Sequence, residues 1–252
     1  MNNPEIVYGI RAIIEVIESG KQVEKILLKK QFKSELLKQL RQLAHQHGIP
    51  VQYVPVEKLN KITRQNHQGA IAFVSPIIFW ELDDLISQTY EKGQIPLIII
   101  LDRVTDVHNF GAILRTAECT GATGVIIPLK NTAQISGGAM KTSAGALNYI
   151  PIVRMPLNKA VDDLKTMGFR ILAASEKGTS YIYEKDMTAA TAIIMGSEEK
   201  GISTELMKKA HDLVKIPILG RIESLNVSVA ASIFLYEAMR QRIEKGIISL
   251  KK

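Results

Sequence analysis

LIIILDRVTDVHNFGAILRTAECTGATGVIIP, residues 97–128, reads as one complete strand–loop–helix–strand unit. LIIIL (97–101) is a short apolar run, and GVIIP (124–128) is a second. Between them Ile113 and Ala117 stand at i and i+4, on one face of a helix. Short apolar runs separated by a helix predict parallel strands buried on both faces. The pattern continues at IPIV (150–153), RILAA (170–174), AIIMG (192–196) and LVKIP (213–217). An α/β fold with a parallel sheet is therefore expected from residue 95 to 252. In such sheets ligands bind beyond the carboxyl ends of the strands, so the loops after these runs are where chemistry is to be sought.

The chain upstream is organised differently. Ile6, Ile10, Ile13, Ile14 and Ile17 predict a helix over 4–18. EKILL (24–28) predicts a strand, and SELLKQLRQLAHQ (34–46) an amphipathic helix starting at the N-cap Ser34 and ended by Gly48 and Pro50. VQYV (51–54) and AIAFV (70–74) add two strands. This makes a small α/β domain over 1–75, a linker over 76–94 punctuated by Pro76, Gly93 and Pro96, and a larger domain over 95–252.

The bulk numbers narrow the class. With 252 residues, 46% hydrophobic and 23% charged, the chain supports a sizeable core and does not read as disordered. No apolar run is long enough to span a membrane, and the acid-bearing N-terminus lacks the apolar core of a signal peptide. The single cysteine, Cys119, excludes an intrachain disulfide, and a cytoplasmic protein is expected. The net charge of +7 favours an anionic partner such as nucleic acid, although charge alone fits a solvated surface equally well. Lys21, Lys25, Lys29, Lys30, Lys33, Lys38 and Arg41 crowd the first fifth of the chain.

Several motifs are missing. No GxGxxG follows the strand at 97–101, SGGAMKTS fails the phosphate-loop pattern, and GxSxG is absent. The five histidines and one cysteine form no metal-ligand spacing. What remains is three polar segments at strand ends. The first is NFGAILRTAECTGATG (109–124), with Arg115 off the apolar stripe, free to meet a phosphate or hydroxyl or to pair with Glu118. The second is IIMGSEEKGIS (193–203), where Gly196 permits close approach of a ligand, Glu198 offers a carboxylate and Ser203 caps a helix. The third is VKIPILGRIESLNVSVAAS (214–232), in which Ser224 or Asn226 can cap a long apolar helix.

N-x-G-A-I-x-R-T-A, then G-S-E-x-x-G, then I-P-I with S-L-N-V-S-V-A-A resembles the three motifs of the SpoU branch of the SPOUT methyltransferases, in order, over roughly 97–246. VYGIRAIIEVI and NHQGAIAFV make the first domain similar to the substrate-binding domain of members that modify ribosomal RNA. The resemblance implies methyl transfer from S-adenosylmethionine to a ribose 2′-hydroxyl, nearest the branch acting on a guanosine of 23S rRNA. A tRNA substrate and a non-catalytic RNA-binding role are the alternatives. It also implies a deep trefoil knot in the catalytic domain, an L30e-like first domain and a homodimer packed through the knot.

By the same resemblance the catalytic set is Arg115, Asn109, Glu198, Ser224 and Asn226, and the cofactor pocket is Gly196, Ile216 and Leu225 with Met195 and Ile218. An arginine is a poor base at neutral pH, so Arg115 is cast as holding a phosphate and favouring a developing alkoxide. Glu198 orients Arg115 or takes part in proton transfer. Arg11, Arg64, His67 and Gln68, with Gln65 and Asn66, are the expected RNA contacts, and Lys21, Lys25 and Lys29 the expected phosphate contacts.

Overall fold

The computed structural model describes residues 5–30, 34–75, 77–135 and 137–249. The chain divides into two compact units, Met1–Ile78 with Ile135–Gly138, and Phe79–Gln134 with Ala139–Lys252.

The first unit runs β1 (Glu5–Tyr8), α1 (Ile10–Glu18), β2 (Val23–Lys29), α2 (Glu35–Gln46), β3 (Val51–Val54), α3 (Val56–Ile62) and β4 (Ala70–Val74). The sheet order is β1-β4-β2-β3, with only the β2–β3 pair parallel. Period-2 alternation sorts the strand side chains. Ile26, Leu28, Ala70 and Ala72 pack with Ile13, Ile17, Leu37 and Leu40 of α1 and α2. Leu27, Ile71 and Phe73 pack with Leu59 of α3 on the other face. Ser34 caps α2 as expected, its side chain accepting from Leu37 N–H at 3.1 Å. The expected helix over 4–18 is corrected. Residues 5–8 pair antiparallel with β4, and Gly9 at φ 90° separates that strand from the helix. Ile6 and Val7 are β-branched and serve a strand as well as a helix. Helix α3 was not legible, because Pro55 and one fully buried leucine leave too short a periodic pattern.

The chain continues with α4 (Leu82–Glu91), β5 (Leu97–Asp102), α5 (Val107–Cys119), β6 (Gly124–Ile127), α6 (Gly137–Thr142), β7 (Ile152–Arg154), α7 (Leu157–Thr166) and β8 (Arg170–Ala174), all in the second unit save the first two residues of α6. Then follow β9 (Ser180–Tyr181), β10 (Thr191–Gly196), α8 (Thr204–Lys209), β11 (Asp212–Lys215) and α9 (Val227–Glu244). Seven strands form one sheet in the order β7-β6-β5-β10-β8-β11-β9, and every pair is parallel. Ile98, Ile100, Ile126, Ile171 and Ile194 face a core shared with α4, α7 and α8. Helices α5 and α9 pack on each other and against β6 and β10. The stretch 76–94 thus carries a helix of the second unit, because Leu82, Leu85 and Ile86 of α4 are buried in its core. Helix α5 starts at Val107, with Asp106 as N-cap accepting from Asn109 N–H at 2.8 Å. Gly111 serves packing: a Cβ there would lie 2.1 Å from Thr142 Oγ1.

Arg242, only 3% exposed, anchors the far end of α9. It donates to the carbonyls of Ile95, Pro96, Met187 and Ala189. Burial pushes its guanidinium down to about 10, still well above neutral pH. Four carbonyl dipoles replace the water it has lost. Among the described residues no helix is long and apolar enough to cross a membrane.

Candidate active site

Loops after β8, β10 and β11 close around a cleft of about 440 Å³. This is the carboxyl edge of a parallel sheet, where strands end and backbone groups lack sheet partners. Its walls are Ala174–Lys177, Met195–Gly201, Val214–Ile216, Ile218 and Glu223–Leu225, and Val227, Ala230 and Phe234 of α9 line it as well. All five residues expected to hold a cofactor, Met195, Gly196, Ile216, Ile218 and Leu225, lie in this lining, together with Ser224 and Glu198.

Gly196 has a different local reason from the one expected. A Cβ at this position would sit 2.1 Å from Gly201 C and 2.3 Å from Ile202 N. The glycine therefore lets the chain fold back on itself, not only a ligand approach. Ser197 and Gly201 form an isolated antiparallel bridge, with Gly201 N–H donating to Ser197 O at 2.8 Å. That turn carries Glu198 beside the first turn of α9.

Glu198, Asn109 and Asn226 meet in one hydrogen-bonded cluster. Glu198 Oε1 accepts from Asn109 Nδ2 at 3.4 Å, from Val227 N–H at 3.2 Å and, by a short contact, from Asn226 Nδ2. Asn226 Nδ2 also donates to Asn109 Oδ1 at 3.0 Å. Asn226, not Ser224, is the N-cap of α9: its Oδ1 accepts from Ser228 N–H at 2.9 Å and from Ser228 Oγ at 2.5 Å. Capping and site membership coincide in this residue. Glu198 Oε2 accepts no hydrogen bond among the described residues. Ser224 is exposed at the cleft.

Arg115 is not brought to this cluster within the chain. It lies six residues beyond Asn109 on α5, about 9 Å along the axis and roughly 240° around it. It is exposed and has neither Glu118 nor Glu198 as an ion-pair partner. Ser203 occupies the N-cap of α8, but its side chain makes no cap; its N–H donates to Asp102 Oδ2 at 2.7 Å.

Asp102 and Arg103 were not singled out from the sequence. Asp102 is 6% exposed at the end of β5, and Arg103 Nε lies 3.4 Å from its Oδ1. Arg103, at φ 61°, donates through Nη2 to Gly201 O at 3.0 Å. The pair pins the far end of the turn that presents Glu198, at Gly201 and Ser203. An aspartate closing an otherwise apolar run was the signal available in LIIILD (97–102).

The expected RNA contacts in the first unit divide. Arg11, Arg64, Gln65, Asn66 and Gln68 are exposed. His67 is corrected from a contact to a structural residue. It is 8% exposed, its Nδ1 accepts from Gly69 N–H at 3.0 Å, and its Nε2 therefore carries the proton it donates to Asn60 Oδ1 at 2.8 Å. Lys25 lies over the Phe73 ring at 4.7 Å, and Lys21 and Lys29 are exposed.

Comparison with known proteins gives the family. An uncharacterized tRNA/rRNA methyltransferase of Synechocystis is 36% identical over 241 residues, 94% of this chain, and the chain spans 63% of that relative's length. A putative TrmH family tRNA/rRNA methyltransferase of Staphylococcus aureus is 34% identical over 96% of this chain and 98% of its own. The crystal structure of the SpoU methyltransferase AviRb from Streptomyces viridochromogenes, in complex with AdoMet, superposes with a TM-score of 0.60 at 26% identity, covering 95% of this chain and 90% of that one. Residues 6–80 match the RNA 2′-O ribose methyltransferase substrate-binding domain. Residues 96–236, which supply Asn109, Glu198, Asn226 and the whole cleft, match the SpoU rRNA methylase family, and the chain belongs to that family.

Proposed function

We propose that this protein methylates the 2′-hydroxyl of a ribose in RNA with S-adenosylmethionine, and that its substrate is a guanosine of 23S ribosomal RNA. The observation that carries the reading is the Asn109–Glu198–Asn226 cluster at the rim of the cleft. The cleft suits the cofactor in size and chemistry. Its volume lies within the range of about 300–1,000 Å³ usual for small-molecule sites. Met195, Ile216, Ile218 and Leu225 offer apolar contact to a flat ring, and the charged lining is mixed, with Glu176, Glu199 and Glu223 beside Lys177, Lys200 and Lys215. The cofactor supplies a methyl group on a sulfonium, already electrophilic.

The chain's part is to hold the ribose and deal with its proton. Asn109 and Asn226 fix the Glu198 carboxylate through Oε1, which leaves Oε2 for the ribose hydroxyl. Ser224 positions the ribose or cofactor at the same rim. Arg115, exposed and turned away from this cluster within its own chain, neutralises phosphate charge on the RNA strand. The ribosomal substrate is supported by the matched substrate-binding domain ahead of the catalytic one.

The reading includes a homodimer and a trefoil knot between β10 and α9. In its favour, Val229, Ile233 and Tyr236 form an apolar stripe on α9, with Val229 47% and Tyr236 58% exposed. The deciding experiment is transfer of labelled methyl from S-adenosylmethionine to separated, unmodified rRNA and tRNA. Label on a ribose of 23S rRNA is expected. Label in tRNA alone overturns the substrate, and no label in either, with cofactor binding absent, overturns the activity.

A further inference from the structure

The first unit has a pocket of its own, separate from the catalytic cleft. It measures about 400 Å³ and is lined by Lys29, Val56, Asn60 and the loop Gln65–Gly69. Buried His67 shapes the loop. Its ring takes the Gly69 N–H and holds Asn60 by its oxygen, while its backbone carbonyl accepts from Ala70 N–H at 2.8 Å. Gln68 is held at φ 49°, a left-handed conformation that residues other than glycine adopt rarely. Such strained positions cluster where a surface is shaped for a ligand.

Apart from His67 and the Asn60 oxygen, the polar side chains lining this pocket are idle among the described residues. Asn60 spends its oxygen on His67, leaving its NH₂ free. The side chains of Asn66 and Gln68 and the carboxamide of Gln65 have no hydrogen-bond partner among the described residues, and Lys29 has no ion-pair partner there. No acidic residue lines the pocket. Carboxamides carry a donor and an acceptor side by side, the pattern that matches the edge of a nucleobase. A lone lysine beside them suits a phosphate. RNA is read mainly through unpaired bases splayed out of the helix.

From this we infer that the pocket holds one unpaired nucleotide of the RNA substrate, its base edge on Asn60, Gln65, Asn66 and Gln68 and its phosphate on Lys29. The inference rests on the reading of this chain as an RNA enzyme, and makes the pocket its means of choosing where to dock.

The test uses the full chain labelled with ¹⁵N. Side-chain NH₂ signals of Asn60, Gln65, Asn66 and Gln68 are followed while each of the four nucleoside 5′-monophosphates is added, with ribose 5-phosphate and inorganic phosphate as controls. Saturable shifts with at least one nucleotide, larger than with either control and lost in Asn66→Ala, are expected. Equal shifts with inorganic phosphate mean an anion site only and overturn the inference. So does the absence of any shift at about 10 mM nucleotide, far above useful affinities. In parallel, Asn66→Ala raises KM for RNA about tenfold with S-adenosylmethionine affinity unchanged. Nucleotide binding without methyl transfer by the unaltered chain sinks the proposed activity and keeps the pocket. Methyl transfer without nucleotide binding sinks the pocket alone.

Discussion

Asn109 and Asn226 stand 117 residues apart and share a single carboxylate oxygen: both amides donate to Glu198 Oε1, and Asn226 also donates to Asn109 at 3.0 Å. One residue begins α5, one begins α9 and the carboxylate follows β10. The cluster is therefore a property of the whole second unit, and it holds an anion where two helices start. Replacing Glu198 by Gln puts an NH₂ or a weaker acceptor against these donors. Methyl transfer from labelled S-adenosylmethionine to rRNA is expected to fall about 100-fold or more, within the span general acid–base groups contribute. Activity within threefold of the unaltered protein would remove Glu198 from the mechanism.

Gly196→Ala should act through the backbone. The new methyl would overlap the Gly201–Ile202 peptide. Relief requires moving the turn that carries Glu198, at a cost of about 2–3 kcal/mol. Thermal unfolding should shift down by several degrees, and calorimetry should show weakened S-adenosylmethionine binding. An unchanged melting temperature would show that the turn has more room than its geometry gives it.

Arg115→Ala should separate activity from stability. The side chain is exposed and pairs with nothing among the described residues, so stability stays within about 0.5 kcal/mol. Methylation should be lost while cofactor binding survives. Equal loss of cofactor affinity, read by calorimetry, would contradict the assigned role.

His211 gives a pH dependence with a definite sign. Its Nδ1 accepts from Ile171 N–H at 2.9 Å, which requires that nitrogen to be unprotonated. Burial first, then Lys165 and Arg170, push the imidazole below its ordinary 6.5, outweighing Asp212. Below pH 6.5 the unfolded chain holds more protons at this residue than the folded one. Its contribution is thus fully present above 6.5 and is lost as pH falls through the window below it. Urea midpoints measured from about pH 8 down to about pH 5 should decline, and His211→Asn should flatten part of that decline. Parallel curves for the two proteins would refute the assignment.

Tyr236→Asp with Val229→Asp tests the dimer. Light scattering should report half the mass of the unaltered protein, since two buried carboxylates oppose association. A monomer mass for the unaltered chain at micromolar concentration would dispose of the dimer outright.

Much of this was legible in the residues. Six apolar runs marked six of the seven strands of the large sheet, because a strand buried on both faces has to be apolar throughout. Two-residue β9 carries too little pattern to be seen. Ile6 and Val7 read as helix because an isoleucine-rich stretch satisfies both periods until its partner strand is known. In the site, the lining of the cleft and the Asn109–Glu198–Asn226 set followed from the motifs. The pinning by Asp102 and Arg103 did not, since it links residues about one hundred positions apart. Neither did the burial of His67, which sits in a polar stretch that reads as surface, nor the distance of Arg115 from its supposed partners.

Arg242 has a consequence for how the protein is made. Helix α9 starts at the Asn109–Glu198–Asn226 cluster with its cap Asn226 and is fastened, sixteen residues later, to backbone carbonyls at the entry of β5 and β10. During synthesis the first unit and most of the large sheet emerge before either end of that helix exists. Completion of the cleft therefore waits for this helix. A nascent chain still lacking α9 can hold a folded first unit and yet have an incomplete cleft.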